Sequence, residues 1–210
     1  METRKPILQK SSLKETKIEN VDSLLEIENV IIKEGDFENL EIEEIRCNGV
    51  IAENILLASS KIEEASIIDT TFSKSNFAGT VFGKAFIERV EIDKSRVQGT
   101  QFMGAKFKDV VIKNSKCTSS SFRFSTMKNV VFVDCDVNGV DFQGTEMENV
   151  LFQNCDLKES CFLSTKLKNV ILSTSNIEGI KINKEAFGKV SVNTSQALYL
   201  SSIFGLVIEG

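Results

Sequence analysis

Five cysteines and not one histidine set the chemistry open to this 210-residue chain. Without histidine there is neither the commonest general base nor a Cys/His zinc site. The cysteines are odd in number and show no paired-spacing motif, which places the chain in a reduced, cytoplasmic setting. Cys135 and Cys155 stand 20 residues apart, and a disulfide between them is sterically conceivable if the chain stacks at that period. The simpler reading makes Cys47, Cys117, Cys135 and Cys155 small core residues. Cys161 falls at an outward position and is the thiol expected to react first. The acidic residues offer a second chemistry. Glu43 and Glu63 are 20 apart, as are Glu44 and Glu64; with Glu41 and Glu53 they make a candidate acidic binding surface, and Asp36 and Glu38 add to its field. Such a surface either binds something basic, such as the DNA-contacting face of an enzyme, or is a solvated face that keeps an apolar rod soluble. No nucleophile–base pair, phosphate-cradling glycine loop or metal cluster is evident. The chain therefore reads as a binding protein, not an enzyme, and no cofactor is expected.

The elements that must position these residues follow from one period. Every fifth residue from Ile27 to Phe187 is apolar, without a break. Two residues before each lies a second series, from Leu25 to Glu185, made mostly of Ala, Val, Ser, Thr, Cys and Gly. A period of five fits neither a helix nor a flat strand. It is a solenoid signature. All of the 15 Phe except Phe86, Phe124 and Phe204 lie in this register, so Phe is the main core-filling residue.

A longer period of 20 lies above it. Phe82, Phe102, Phe122, Phe142 and Phe162 repeat at that interval, as do Val90, Val110, Val130, Val150 and Val170. Four pentapeptides thus make one turn of a four-sided coil. Gly or Asn stands just before many inward small residues, as in Asn129-Val130 and Asn149-Val150, where a tight turn is needed. Coils stacked at about 4.8 Å make ladders of like side chains, and about eight coils rise about 38 Å. The fold class is all-β: a filled column, with no room in the register for the long loops on which β-helix lyases build active sites. The period also excludes the hexapeptide helix of acyltransferases.

Segments such as Cys155-Asp156-Leu157-Lys158-Glu159, Ser75-Asn76-Phe77-Ala78-Gly79 and Val140-Asp141-Phe142-Gln143-Gly144 resemble the repeat units of pentapeptide repeat proteins. The resemblance covers about residues 25–190 and implies a right-handed quadrilateral β-helix. The end of the chain, Ser195 to Gly210, together with Ser121-Phe122-Arg123-Phe124, resembles the quinolone-resistance (Qnr-like) members, closest to those of Gram-positive bacteria. Three parts are expected: an N-terminal polar segment and cap (1–24), the β-helix (25–190), and a capping and dimerisation segment (191–210).

Thr194-Ser195 are expected to cap a short helix through about Phe204, followed by a strand-like Leu206-Val207-Ile208. Leu198, Tyr199, Leu200, Ile203, Phe204, Leu206, Val207 and Ile208 are too many large apolar groups for one coil end to hide. The resemblance implies that they form a homodimer interface with the N-termini outermost. Residues 1–14 carry net +3 and are expected to be partly disordered, while Ile18, Val21 and Leu24 cover the first coil. An outward apolar stripe of Val111, Val131, Leu151 and Ile171, with Ile31 and Ile51, reads either as β-propensity or as a docking face for a partner or for the N-terminal segment.

The resemblance further implies docking on a bacterial type II topoisomerase (DNA gyrase or topoisomerase IV), partly as a DNA mimic, and protection from quinolones or a natural poison. The alternative is an interaction scaffold with an unrelated partner. Charge limits the mimicry. The net charge is −5 per chain, whereas about 90 Å of B-DNA bears roughly 50 negative charges. The acidity is also uneven: residues 15–65 hold 14 acidic and 4 basic residues. Direct nucleic-acid binding and membrane insertion are not expected.

Overall fold

In a computed structural model, residues 3–9, 13–18, 21 and 23–207 are described. Part of the N-terminal segment and Ile208 lie outside them. The chain winds into parallel coils whose strands pair with residues 20 positions on: Phe86 with Lys106, Lys106 with Thr126, Thr126 with Glu146, and Glu146 with Lys166. The result is a β-solenoid of about nine turns closed by one short helix. The register between Ile27 and Phe187 predicts eight. The remainder comes from the ends, where Lys14–Glu15 pair with Val30–Ile31 and Val190–Ser191 pair with Val170–Ile171.

The five-residue period works because each corner needs one left-handed residue. Asn129, Asn149 and Asn169 have φ of 55°, 54° and 54°, and Gly79, Gly99 and Gly139 occupy equivalent corners. Asn and Gly enter this region at the lowest steric cost. Inward hydroxyls then tie each turn to the previous one. Thr80 Oγ1 donates to the Leu57 carbonyl at 2.5 Å, Thr100 Oγ1 to Phe77 at 2.7 Å and Thr145 Oγ1 to Phe122 at 2.7 Å. Carbonyls that turn into the column are thereby satisfied rather than left buried without a partner.

The column is filled as the ladders require. Phe82, Phe102, Phe122 and Phe142 stack with ring centroids 5.0, 5.2 and 5.3 Å apart. A second stack, Phe132 on Phe152, has a spacing of 4.9 Å and meets the first edge to face. These spacings match the strand separation, so the rings stack because the backbone does. At the first turns Ile18 and Val21 pack against the core as expected. Leu24 does not; it is exposed, because its neighbour Leu25 takes the inward side.

Candidate functional site

The C-terminal end has the most developed local chemistry. After Ser191 the register ends, and α1 (Thr194–Ile203) lies across the last coil. Its cap is Asn193, not Thr194-Ser195. Asn193 Oδ1 accepts from the Gln196 backbone N–H at 2.9 Å, and Gln196 Oε1 accepts from the Asn193 N–H at 2.9 Å. This reciprocal capping box satisfies two backbone donors at the start of the helix. Gln196 is buried, and its amide donates to the carbonyls of Leu172 (2.9 Å) and Ser175 (2.7 Å). It thus closes the open edge of the final coil. The sequence reading missed Gln196; the signal was its place three residues after Asn193.

The same helix sorts the expected interface residues. Leu200 is only 4% exposed and belongs to the core of its own chain, so it is withdrawn from any intermolecular surface. Tyr199 and Phe204 are half-buried against that core. The Tyr199 hydroxyl accepts from the Gly179 N–H at 2.6 Å, and the Phe204 ring packs edge-on to Phe187 at 5.1 Å. Leu198, Ile203, Leu206 (62% exposed) and Val207 (88%) face outward, joined by Phe187. Among the described residues Leu206 and Val207 form no strand; the Leu206 N–H instead bonds the Ser201 carbonyl at 3.0 Å.

The acidic surface is less anionic than its sequence suggests. Glu44 does stack on Glu64 in register. Each has its own cation: Arg46 lies 2.6 Å from Glu44, Lys84 2.6 Å from Glu64, and Lys61 3.1 Å from Glu63. The hydrogen bond from Lys84 and its charge hold the Glu64 carboxyl below the ordinary carboxylate value. Glu41 pairs across the coils with Lys61 in register, and Glu53 is half-buried at the end of a short strand. Glu43 is exposed and its backbone N–H bonds the Ser23 carbonyl. Of the six candidate residues, Glu44, Glu63 and Glu64 thus lie in ion pairs, which partly offset the acidic field.

All five cysteines are free. Cys47, Cys117, Cys135 and Cys155 are buried, as small core residues should be, and burial pushes the Cys47 thiol up to about 12. A hydrogen bond to Cys135, together with burial, holds the Cys117 and Cys155 thiols well above the ordinary value. Cys161 is half-exposed. Among the described residues no group of three or more Cys, Asp or Glu side chains is arranged to hold a metal ion.

Two outward features complete the surface. Val111, Val131, Leu151 and Ile171 form a continuous stripe in register. Val131 is buried and the other three are half-buried. Phe124 is 58% exposed at a corner with φ of 56°, a conformation that a bulky residue rarely adopts. Its ring lies over Gly144, where an added Cβ would stand 2.6 Å from the ring, and the Arg123 guanidinium is 5.4 Å from the ring centroid. In the sequence Phe124 stands out as one of three Phe outside the five-residue register. The available signal was a Phe at a corner position that elsewhere carries Gly or a polar or charged residue such as Asn, Asp, Ser or Lys.

Residues 115–182 match the family model described as a pentapeptide repeat region. No curated protein sequence matches the chain. Among solved structures, a trypsin-treated form of QnrB1, a plasmid-mediated fluoroquinolone resistance protein, aligns at 18% identity over 94% of this chain and 97% of that one, with a TM-score of 0.48. HetL, a pentapeptide repeat protein involved in heterocyst differentiation regulation from the cyanobacterium Nostoc sp. strain PCC 7120, aligns at 8% identity over 76% of this chain and 85% of that one, with a TM-score of 0.39. Among the described residues no helix is long and apolar enough to cross a membrane.

Proposed function

We propose, from the premise that this chain is a pentapeptide repeat protein, that it is a Qnr-like binding protein that docks on a bacterial type II topoisomerase. The target would be DNA gyrase or topoisomerase IV, protected from quinolones or from a natural poison. The observation that carries the reading is the C-terminal end. A capped helix seals the coil through Gln196 and Leu200 yet leaves Leu198, Ile203, Leu206 and Val207 in solvent. A cap that only sealed its own coil has no use for that outer apolar face. A second copy placed on it by a two-fold axis buries the face and doubles the rod. Nine turns at about 4.8 Å give about 43 Å per protomer, hence a dimer rod of about 86 Å.

Such a rod matches duplex DNA in length and smoothness far better than in charge. The ion pairs on the acidic surface reduce its field further, so mimicry here rests on shape and local patches. The column, filled by apolar side chains and by hydroxyls already bonded to its own carbonyls, favours binding over catalysis.

A ciprofloxacin titration of gyrase, with and without the protein, tests the function. Fewer trapped cleavage complexes and restored supercoiling at low micromolar protein are expected. Supercoiling inhibited without drug relief would make it a DNA competitor, and no effect on either enzyme would move the assignment to a scaffold with another partner. The dimer has its own test. Phe204→Asp would disturb the cap itself through Phe187, so Val207→Asp is the cleaner variant. It is expected to yield a monomer by light scattering with an unchanged melting temperature; a persistent dimer would refute this interface.

A further inference from the structure

The segment from Thr3 to Gln9 lies outside the repeat register, yet it is fastened to the middle of the coil. Arg4 Nε donates to Asp109 Oδ2 at 2.8 Å, its Nη2 lies 2.7 Å from the same oxygen, and its backbone N–H points at Asp109 Oδ1 at 3.5 Å. Three residues on, the Ile7 N–H donates to Asp69 Oδ1 at 2.8 Å. Asp69 and Asp109 occupy the same corner of the coil, two turns apart. Two turns rise about 9.6 Å, and three residues of extended chain span about 10 Å. An extended peptide laid along the axis therefore meets Asp109 and Asp69 with residues three apart.

The two carboxylates are not equivalent. Asp69 already has a cation from the coil: Arg89 binds both of its oxygens at 2.7 Å. It asks only for a backbone N–H. Asp109 has a side chain 1% exposed and receives one amide from the coil, Asn129 Nδ2 at 3.0 Å. Behind Asn129 runs a ladder in which each amide donates toward Asp109: Asn149 to Asn129 at 3.1 Å and Asn169 to Asn149 at 2.8 Å. A recessed carboxylate at the end of such a ladder requires a cation to compensate its lost hydration, and Arg4 supplies it. Burial pushes the Asp109 carboxyl upward, and the hydrogen bonds from Asn129 and Arg4 outweigh it.

The segment is preset for this role. Pro6 holds its own φ near the extended range, pushes Lys5 toward extended backbone, and has no N–H to leave unsatisfied between the anchors. Capping does not explain the contact. The open end of the coil is already covered by Ile18 and Val21, and Asp109 lies four turns below it.

We propose that the corner floored by Asp69 and Asp109 is a binding groove for an extended peptide carrying an arginine and, three residues on, a free backbone N–H, and that residues 3–9 are its resident, exchangeable occupant. The groove distinguishes arginine at one position and reads only main chain at the other. This inference stands independently of the topoisomerase reading.

Tethering gives the resident segment a millimolar effective concentration, so a free peptide competes poorly with the wild-type chain. The experiment therefore uses the full chain and its Arg4→Ala variant. A fluorescein-labelled peptide Thr-Arg-Lys-Pro-Ile-Leu-Gln is titrated into each and followed by anisotropy at low salt. Binding to Arg4→Ala is expected to be at least ~10-fold tighter than to wild type. The gain should be lost when the peptide arginine is replaced by citrulline, and lost again on adding Asp109→Asn, which keeps the shape and the bond to Asn129. Equal binding to wild type and variant, or equal binding of a scrambled peptide of the same composition, would mean a diffuse acidic field and would overturn the groove. So would absence of peptide binding when hydrogen exchange shows the Ile7 amide released in the variant. An Ile7 amide as protected in Arg4→Ala as in wild type would overturn the anchoring role of Arg4.

Discussion

Two stretches of the same coil are filled differently. Between Ile27 and Leu57 the inward positions hold Ile, Leu, Cys and Ala with a single Phe, and an apolar void of about 30 Å³ remains among Ile32, Ile42, Ala52 and their neighbours. Between Phe82 and Phe162 the same register adds two stacks of Phe rings to its Ile, Val, Met, Leu and Cys, and Phe122, Phe132, Phe142, Phe152 and Phe162 are almost fully buried. The strand pairing is parallel with a 20-residue offset in both stretches. The backbone is thus set by the period, while packing density is set by which residue fills it. Charge varies along the rod in the same free way. In the first turns Glu44 and Glu64 each meet their own cation at the surface, whereas in the middle turns the recessed Asp109 is held by an amide ladder and the N-terminal segment.

The largest expected effect tests the tighter stretch. Phe122 contacts Phe102, Phe107, Phe132 and Phe142, so Phe122→Ala opens a cavity that the rigid coils cannot close. A loss of about 3–5 kcal/mol is expected in denaturant titration; an unchanged midpoint would sink the stacked-ring account. Ile42→Ala probes the looser stretch. With a void already beside it, the neighbours can shift inward, and a smaller loss of about 2–3 kcal/mol is expected. Equal losses at the two sites would erase the contrast in packing.

Acid should separate the stretches next. Asp69 and Asp109 both titrate below the ordinary carboxylate range in the folded chain: Asp69 through the hydrogen bond from Arg89 against burial, Asp109 through Asn129 and Arg4 against burial. Their contribution is complete above the unfolded value of about 3.9 and disappears as pH falls through the lower folded values. Melting followed from pH 7 to pH 2 should show a loss of stability at the acid end that Asp109→Asn reduces. A variant with the wild-type profile would remove Asp109 from that account. The smallest effect is expected at Lys84→Ala. The partner Glu64 is as exposed as most surface carboxylates, and such pairs contribute little. A melting temperature indistinguishable from wild type is expected, and a clear drop would mean that the acidic turns depend on their cations.

The repeat was legible because it is a local code. An apolar residue every fifth place, a small one two before it and a corner former just ahead of the small one specify the coil turn by turn, so the Phe and Val ladders follow from numbering alone. Position in that register also identified Cys47, Cys117, Cys135 and Cys155 as inward. The ends and the surface were less legible, because no period governs them. The polar pattern of residues 3–9 reads as a disordered tail, and only the folded coil brings Asp69 and Asp109 into line at the spacing of an extended peptide. Asn193 displaces Thr194-Ser195 as the cap because Gln196 can reach both the cap and the open carbonyls at once.

The sequence by itself therefore determined the coil, its filling and its corners, since each of those depends on residues within one or two turns. Tertiary structure alone decided which side of α1 is sealed inward, how far the stacked glutamates are neutralised, and that the N-terminal segment lies along the corner of Asp69 and Asp109 rather than in solvent. Those outcomes depend on groups brought together from distant parts of the chain, and the stacking of turns fixes their distances as no local pattern can.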